Sequence, residues 1–328
     1  MQTGYRLSPC MGDVSIFLFS LLQSTHVCIA KELQVDKEDS KMKSSIPLFS
    51  MEHRTKKDIV YVACMFCSVI IAGSAFAKPN TTRVTATNTR SGVSVTIPAH
   101  ALEVAPDVFS LGTAVVDGKS VEGMMIIHRR EAAKPANPGG GKSGASECSA
   151  LLAKGAKWRA AEPWVLNPAN SNGLTDSFLL ANTALNIQKW EDAASANILG
   201  EGSLTAAPLV ADEVSPDGVN EIYFGNIAEP GVIAVTITWG VFGGAPSARE
   251  LVETDQVYDE VDFAWSEAGE AGKMDYENIS THELGHSLGM GHPDDSCTEE
   301  TMYRFSTEGE TKKRDLHTGD VAGIAGLY

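Results

Sequence analysis

The sequence predicts an α+β fold. Three β-branched and aromatic runs, 219–225, 231–239 and 251–258, read as strands. Before and after them lie stretches with helical spacing and helix caps. Upstream, Gly92–Ile97 alternates with period two, as a half-buried strand does.

Taken in order, the segment from Lys78 to Gly144 is rich in Val, Thr and Ile. Leu111–Val116 and Val121–Ile127 flank Asp117-Gly118-Lys119, the pattern of a β-hairpin. We read 78–134 as a small β-rich region, either a pro-segment or an accessory domain. Residues 135–147 are rich in Pro, Gly and Ser and read as a linker. Gly141-Lys142-Ser143 is no phosphate loop, because Ala136 stands where the first glycine belongs. No nucleotide is expected.

From Cys148 to Tyr328 a second domain is expected. Trp164–Pro168 is its first strand. Thr175 or Asp176 caps a helix to about Ala194 with Phe178, Ala181, Leu185 and Trp190 on its apolar face. Leu199–Asp217 reads as loop. Asp275 or Asn278 caps a helix to Leu288, and a last helix covers 318–327.

The chemistry concentrates in Thr281–His292, which reads H-E-x-x-H-x-x-G-x-x-H. On a helix, His282 and His286 share a face. Gly289 can end that helix, because it tolerates positive φ, and the chain can bring His292 round as a third ligand. Three imidazoles leave one zinc position open for water, and Glu283 can reach that water as a general base. The bland alternative, a buried helix with incidental histidines, does not explain why four of the eight histidines follow residue 281.

This motif resembles that of the metzincin zinc endopeptidases. Met302 matches the family's methionine turn, and Tyr303 after it is similar to the matrixin branch. Arg304 stands where other branches carry a further tyrosine ligand. Leu316–Tyr328 resembles the matrixin terminal helix, with Asp320 expected to bond the methionine-turn backbone. Gly319 replaces a second aspartate usual there, which speaks against activation by a freed N-terminus pairing at that position.

The resemblance implies a secreted prokaryotic endopeptidase that hydrolyses internal peptide bonds, with a twisted mixed five-stranded sheet. It implies one catalytic zinc on His282, His286 and His292, Glu283 activating its water, and Met302, Tyr303, Gly289 and Asp320 in structural roles. It also implies an edge strand, Ile233-Ala234-Val235-Thr236, that holds a polypeptide substrate by strand addition. The alternative is a zinc-binding relative without turnover. Asp255, Asp259 and Asp262 lie in a stretch similar to the matrixin calcium region, and can bind Ca²⁺ or form a solvated acidic turn. Residues 149–281 hold no histidine, so no second zinc site is expected.

The net charge of −16 argues against nucleic acid as a partner. Met51–Lys57 is basic, Ile59–Ala72 is apolar, and Ala75-Phe76-Ala77 is a small-x-small cleavage site, so 51–77 reads as a signal peptide rather than an anchor. Residues 1–50 read as a non-native extension. The expected product is a secreted or cell-surface monomer that meets membrane only during export. Beyond residue 77 only Cys148 and Cys297 remain. They pair as a disulfide in an exported protein, or Cys148 caps the metal in a latent form. No cysteine lies between Lys78 and Glu147. A cysteine-based block from that region is excluded.

Overall fold

The computed structural model describes residues 94–131 and 148–328. The expected extension at 1–50, the signal peptide at 51–77 and the linker at 135–147 lie outside the described residues. The described residues belong to one unit, Thr82–Tyr328. Among them no helix is long and apolar enough to cross a membrane.

The strands run in chain order as β1 (Ser94–Val95), β2 (Leu102–Ala105), β3 (Val108–Val116), β4 (Lys119–Arg130), β5 (Ala150–Leu151), β6 (Glu162–Asn167), β7 (Leu199–Leu204), β8 (Asn220–Ile227), β9 (Val232–Val241), β10 (Glu250–Asp259), β11 (Trp265–Ser266), β12 (Met274–Asp275), β13 (Met290–Gly291) and β14 (Phe305–Ser306). The helices are α1 (Asp176–Ala194), α2 (Tyr276–Ser287) and α3 (Thr318–Leu327).

The hairpin β3–β4 forms as its turn chemistry dictates. Asp117 and Gly118 take φ of 50° and 77°, the left-handed pair that a tight hairpin demands. The sheet that this hairpin joins is larger than the expected five-stranded one. The five strands are present as β7-β6-β8-β10-β9, but the sheet continues past β9 through β4, β3 and β2. With β1 on β8 and β14 on β4, the sheet has ten strands. The β-rich region therefore builds the same sheet as the domain it precedes. The pairing of β4 with β9 is antiparallel, from Glu122 opposite Gly240 to Arg129 opposite Val232.

Two apolar clusters form, one on each face of the sheet. Trp164, Leu179, Trp190, Tyr258, Tyr276, Leu284, Met302 and Ile324 belong to the helix side. Met125, Ile127, Val235, Ile237 and Trp239 belong to the other. A strand alternates its faces, so Met124, Ile126 and His128 of β4 point toward the helices while Met125 and Ile127 point away.

α1 begins where the caps predict. Thr175 accepts the Phe178 amide at 3.2 Å, and Ser195 ends the helix at φ 53°. Its buried face is rotated from the expected one, however. Leu185 is 53% exposed, while Asn182, Thr183 and Asn186 are buried. These polar groups find partners. The Thr183 and Tyr276 hydroxyls bond at 2.8 Å, and Asn186 donates to Asn182 at 3.0 Å. Trp190 is fully buried, and its Nε1 donates to Thr281 O on α2 at 2.9 Å.

β7 is a third correction, since Leu199–Leu204 is a strand parallel to β6. Its glycines read as loop for a packing reason. A Cβ at Gly202 would lie 2.1 Å from the Trp164 ring, so only glycine lets that indole cover the strand. Gly202→Ala is expected to cost about 1–3 kcal/mol through overpacking. Urea unfolding followed by tryptophan fluorescence measures it.

Candidate active site

α2 starts at Asp275, whose side chain accepts the Asn278 amide at 3.0 Å. Arg314 in turn grips the Asp275 carboxylate, with 2.6 Å between Nη2 and Oδ2. Every residue of the helix except Glu277 is buried, so its polar groups need partners. Asn278 is buried and bonds Ser306 and the Lys313 amide, so the glycosylation sequon Asn278-Ile279-Ser280 is inaccessible. After the Leu288 cap, Gly289 takes φ 99°. A Cβ there would lie 2.8 Å from Ala156 O, so glycine is required for both reasons.

The turn delivers His292 to the helix pair. His286 Nε2 lies 3.1 Å from His282 Nε2 and 3.0 Å from His292 Nε2. Two of the rings are fixed by their far nitrogens. His282 Nδ1–H donates to Thr301 O at 2.6 Å, and His286 Nδ1–H donates to Met290 O at 2.9 Å. Those tautomers place lone pairs, not protons, on the converging Nε2 atoms. Burial pushes the His286 pKa down to about 4 and those of His282 and His292 well below the ordinary value. Neutral imidazoles with convergent lone pairs are the donor set that a borderline-soft divalent cation such as Zn²⁺ takes.

Met302 lies beneath α2. A Cβ on Gly285 would meet its Sδ at 2.2 Å, so glycine at this point of the helix lets the Met302 side chain approach. Asp320 holds the turn from α3, accepting the Thr301 amide at 2.7 Å and the Met302 amide at 3.1 Å. Tyr303 is buried beside it. Cys148 and Cys297 form a disulfide across a sequence separation of 149 residues, so Cys148 is not placed on the histidines.

Glu283 is fully buried on the same helix. Thr236 Oγ1–H donates to its Oε2 at 2.6 Å. Its Oε1 meets a residue that the motif does not announce, since His128 Nδ1–H donates to it at 2.9 Å. Lys313 Nζ donates to His128 Nε2 at 2.9 Å and also to Tyr303 O. The His128 ring stacks on His282 with centroids 3.8 Å apart. In the sequence His128 is a lone histidine at the end of an apolar strand, and Lys313 is one lysine of a charged stretch. Neither carries a local signal.

The expected substrate edge needs correction. Ile233, Ala234, Val235 and Thr236 are buried, because β4 pairs along the side of β9 expected to be free. The open space instead lies by His292, a cavity of about 560 Å³ lined in part by Pro106, Leu151, Asp294 and Arg304.

The expected calcium triad is not brought together either. Asp259 accepts the Val261 and Asp262 amides within its own turn. Asp255 instead accepts the Asp212 and Glu221 amides and lies with the Asp212 and Glu253 carboxylates, ligand atoms within 4.8 Å of one another. Among the described residues, Asp212 Oδ2 and Glu253 Oε1 are buried with no hydrogen-bond partner. Burial and neighbouring carboxylates raise the pKa of Glu221 to about 7 and that of Glu253 to about 8.

Residues 221–328 match the family described as Matrixin. The chain is similar to Metalloendoproteinase 1-MMP of Arabidopsis thaliana, 46% identical over 55 residues that cover 17% of this chain and 14% of that protein. It is also similar to Matrilysin of Homo sapiens, 38% identical over 74 residues that cover 23% of this chain and 26% of that protein. The matched segments thus span about a quarter or less of these relatives. Together with the histidine triad, the matches support a matrixin-like metalloprotease catalytic domain, and that family implies zinc binding.

The acidic cluster yields a pH prediction with a definite sign. Burial, with Asp212, Asp217 and Asp255 facing it, keeps the Glu253 carboxyl protonated in the fold to about pH 8. The unfolded chain releases that proton near pH 4.5, so folding stability is lost as pH rises between the two. Glu253→Gln cannot release it. In urea melts with chelator present, the variant should gain stability relative to wild type from about pH 5 to about pH 8. A constant difference would refute the assignment.

Proposed function

We propose that this chain is an exported zinc endopeptidase of matrixin type, with His282, His286 and His292 holding the metal and Glu283 moving the proton. The observation that carries this reading is the meeting of three neutral imidazole Nε2 atoms at 3.0–3.1 Å on the helix that also bears Glu283. Zinc bound there would supply Lewis-acid polarisation of a peptide carbonyl and of a water molecule.

The chain's own groups do the rest. Glu283 takes a proton from the attacking water and delivers it to the departing amine nitrogen, so that the peptide bond is replaced by a carboxyl and an amine. Thr236 fixes the Glu283 rotamer through Oε2. Thr301 O and Met290 O hold two rings in the ligand tautomer. Met302 gives the triad an apolar floor and has no part in proton transfer.

Calcium has its best-supported place at Asp212, Glu253 and Asp255. A cation there would take up the two carboxylate oxygens that lack a donor. We assign export to the 51–77 signal and extended polypeptide as the substrate class.

Three measurements test these assignments. The purified chain should bind one zinc, lose casein hydrolysis with a chelator and regain it with zinc. Glu283→Gln should keep the zinc while kcat/KM falls about 100-fold or more. A variant that cleaves at the wild-type rate would remove Glu283 from the mechanism. Ca²⁺ should raise the melting temperature of the wild type at about pH 8 and leave Glu253→Gln unmoved. An equal rise in both proteins would place calcium elsewhere.

A further inference from the structure

The strand β4 lies where a peptide substrate would have to add. Its antiparallel ladder to β9 runs from Glu122–Gly240 to Arg129–Val232, the orientation expected of a polypeptide on this edge. Ile126 lies directly opposite Thr236, the residue that bonds Glu283. The far side of the strand's end is also covered. β14, two residues beyond Tyr303, pairs parallel with Arg129 and Arg130, and the Arg129 amide donates to Arg304 O at 3.1 Å. The end of β4 thus fills a slot with β9 on one side and the segment after the methionine turn on the other.

The side chains complete the occupation. Between those two walls His128 stacks on His282 and takes Glu283 Oε1, while Thr236 takes Oε2. Both carboxylate oxygens are committed and the residue is fully buried. No extended peptide can pair with β9 and reach Glu283 while β4 is in place. At the rim, Asp107 binds both Arg129 and Arg304, and Arg304 also binds Asp295 at 2.7 Å. These ion pairs latch the β2–β3 turn and the end of β4 to the catalytic domain.

We propose that Lys119–Arg130 is an internal pseudo-substrate that keeps the site latent, and that turnover requires β4 to leave β9 so that a polypeptide can take its place. The proposal rests on the zinc-peptidase reading. It differs from the opposite role for the same contacts, in which β4 is a permanent wall and His128 positions Glu283 during catalysis. It needs no cysteine, since the blocking group is the imidazole of His128 on Glu283.

The test uses the full zinc-loaded chain. Ile127 and Val235 are opposite each other on the face turned away from α2. Ile127→Cys with Val235→Cys, oxidised and verified as bridged, locks β4 to β9. The locked protein should lose about tenfold or more of kcat/KM against casein, relative to either single substitution. Asp107→Asn, which weakens the latch, should raise it. Amide hydrogen exchange reads the same event in the unaltered chain. A peptide hydroxamate that binds zinc should expose the β4 amides while the β8–β10 ladder stays protected. Locked protein as active as the single variants, or hydroxamate bound with β4 still protected, would overturn the proposal and leave the peptidase reading standing. No zinc uptake and no cleavage in the wild type or in any variant would instead overturn the peptidase reading, and this proposal with it.

Discussion

The Nε2 lone pairs of His282 and His286 meet each other and His292 Nε2 at 3.0–3.1 Å, and they repel unless a cation or a proton lies between them. Burial disfavours the proton, so the arrangement has to be held by the surrounding structure. That need explains how the C-terminal third is built. Asp320 on α3 accepts the Thr301 amide, and Thr301 O fixes His282. Gly289 reverses the chain, Met290 O fixes His286, and β13 is anchored by β5. Helix α3 does not touch the rings, yet it sets the orientation of one of them through two hydrogen bonds in series.

The polar chain Lys313–His128–Glu283 is the costliest part of this interior. A lysine and a glutamate are buried completely, and burial drives their pKa values toward each other, down to about 7 and up to about 8. His128 lies between them as acceptor on one side and donor on the other, which satisfies both. If β4 withdrew, the cleft would admit water to Lys313 and Glu283, so the two groups would be solvated and not stranded. Removing an ordinary core strand leaves orphaned polar groups in an apolar interior. This strand covers a polar cluster, and that asymmetry is why its departure is physically reasonable.

The sequence discloses what local chemistry encodes. Thr175 and Asp275 cap their helices, Gly289 ends α2 at positive φ, and Met302 and Asp320 meet as the terminal pattern implies. It conceals what depends on a partner distant in the chain. The hairpin pattern around Asp117-Gly118-Lys119 shows that 121–127 is a strand but not which strand it joins, so β9 reads as an edge. The buried face of α1 is polar at Asn182, Thr183 and Asn186, and hydrophobic spacing cannot find a face built on hydrogen bonds. β7 stays hidden because its glycines serve the Trp164 ring and not a turn. His128 stays silent because a single histidine on an apolar strand gains meaning only when Glu283 faces it.

The same logic accounts for the departure at Gly319. A Cβ there would lie 1.9 Å from Cys148 O, so the position expected to carry a second aspartate is filled by the backbone that enters the catalytic domain. Glu300 takes over the polar work, accepting the Gly319 amide at 2.9 Å and the Asp320 amide at 3.2 Å. The entering backbone is tied down twice, by the Cys148–Cys297 disulfide and by β5 on β13. A free amine swinging into this pocket would first have to displace a covalently anchored chain. Control by a new N-terminus therefore has no place at α3. The part of the chain that both contacts Glu283 and is held by exchangeable strand pairing and ion pairs is β4.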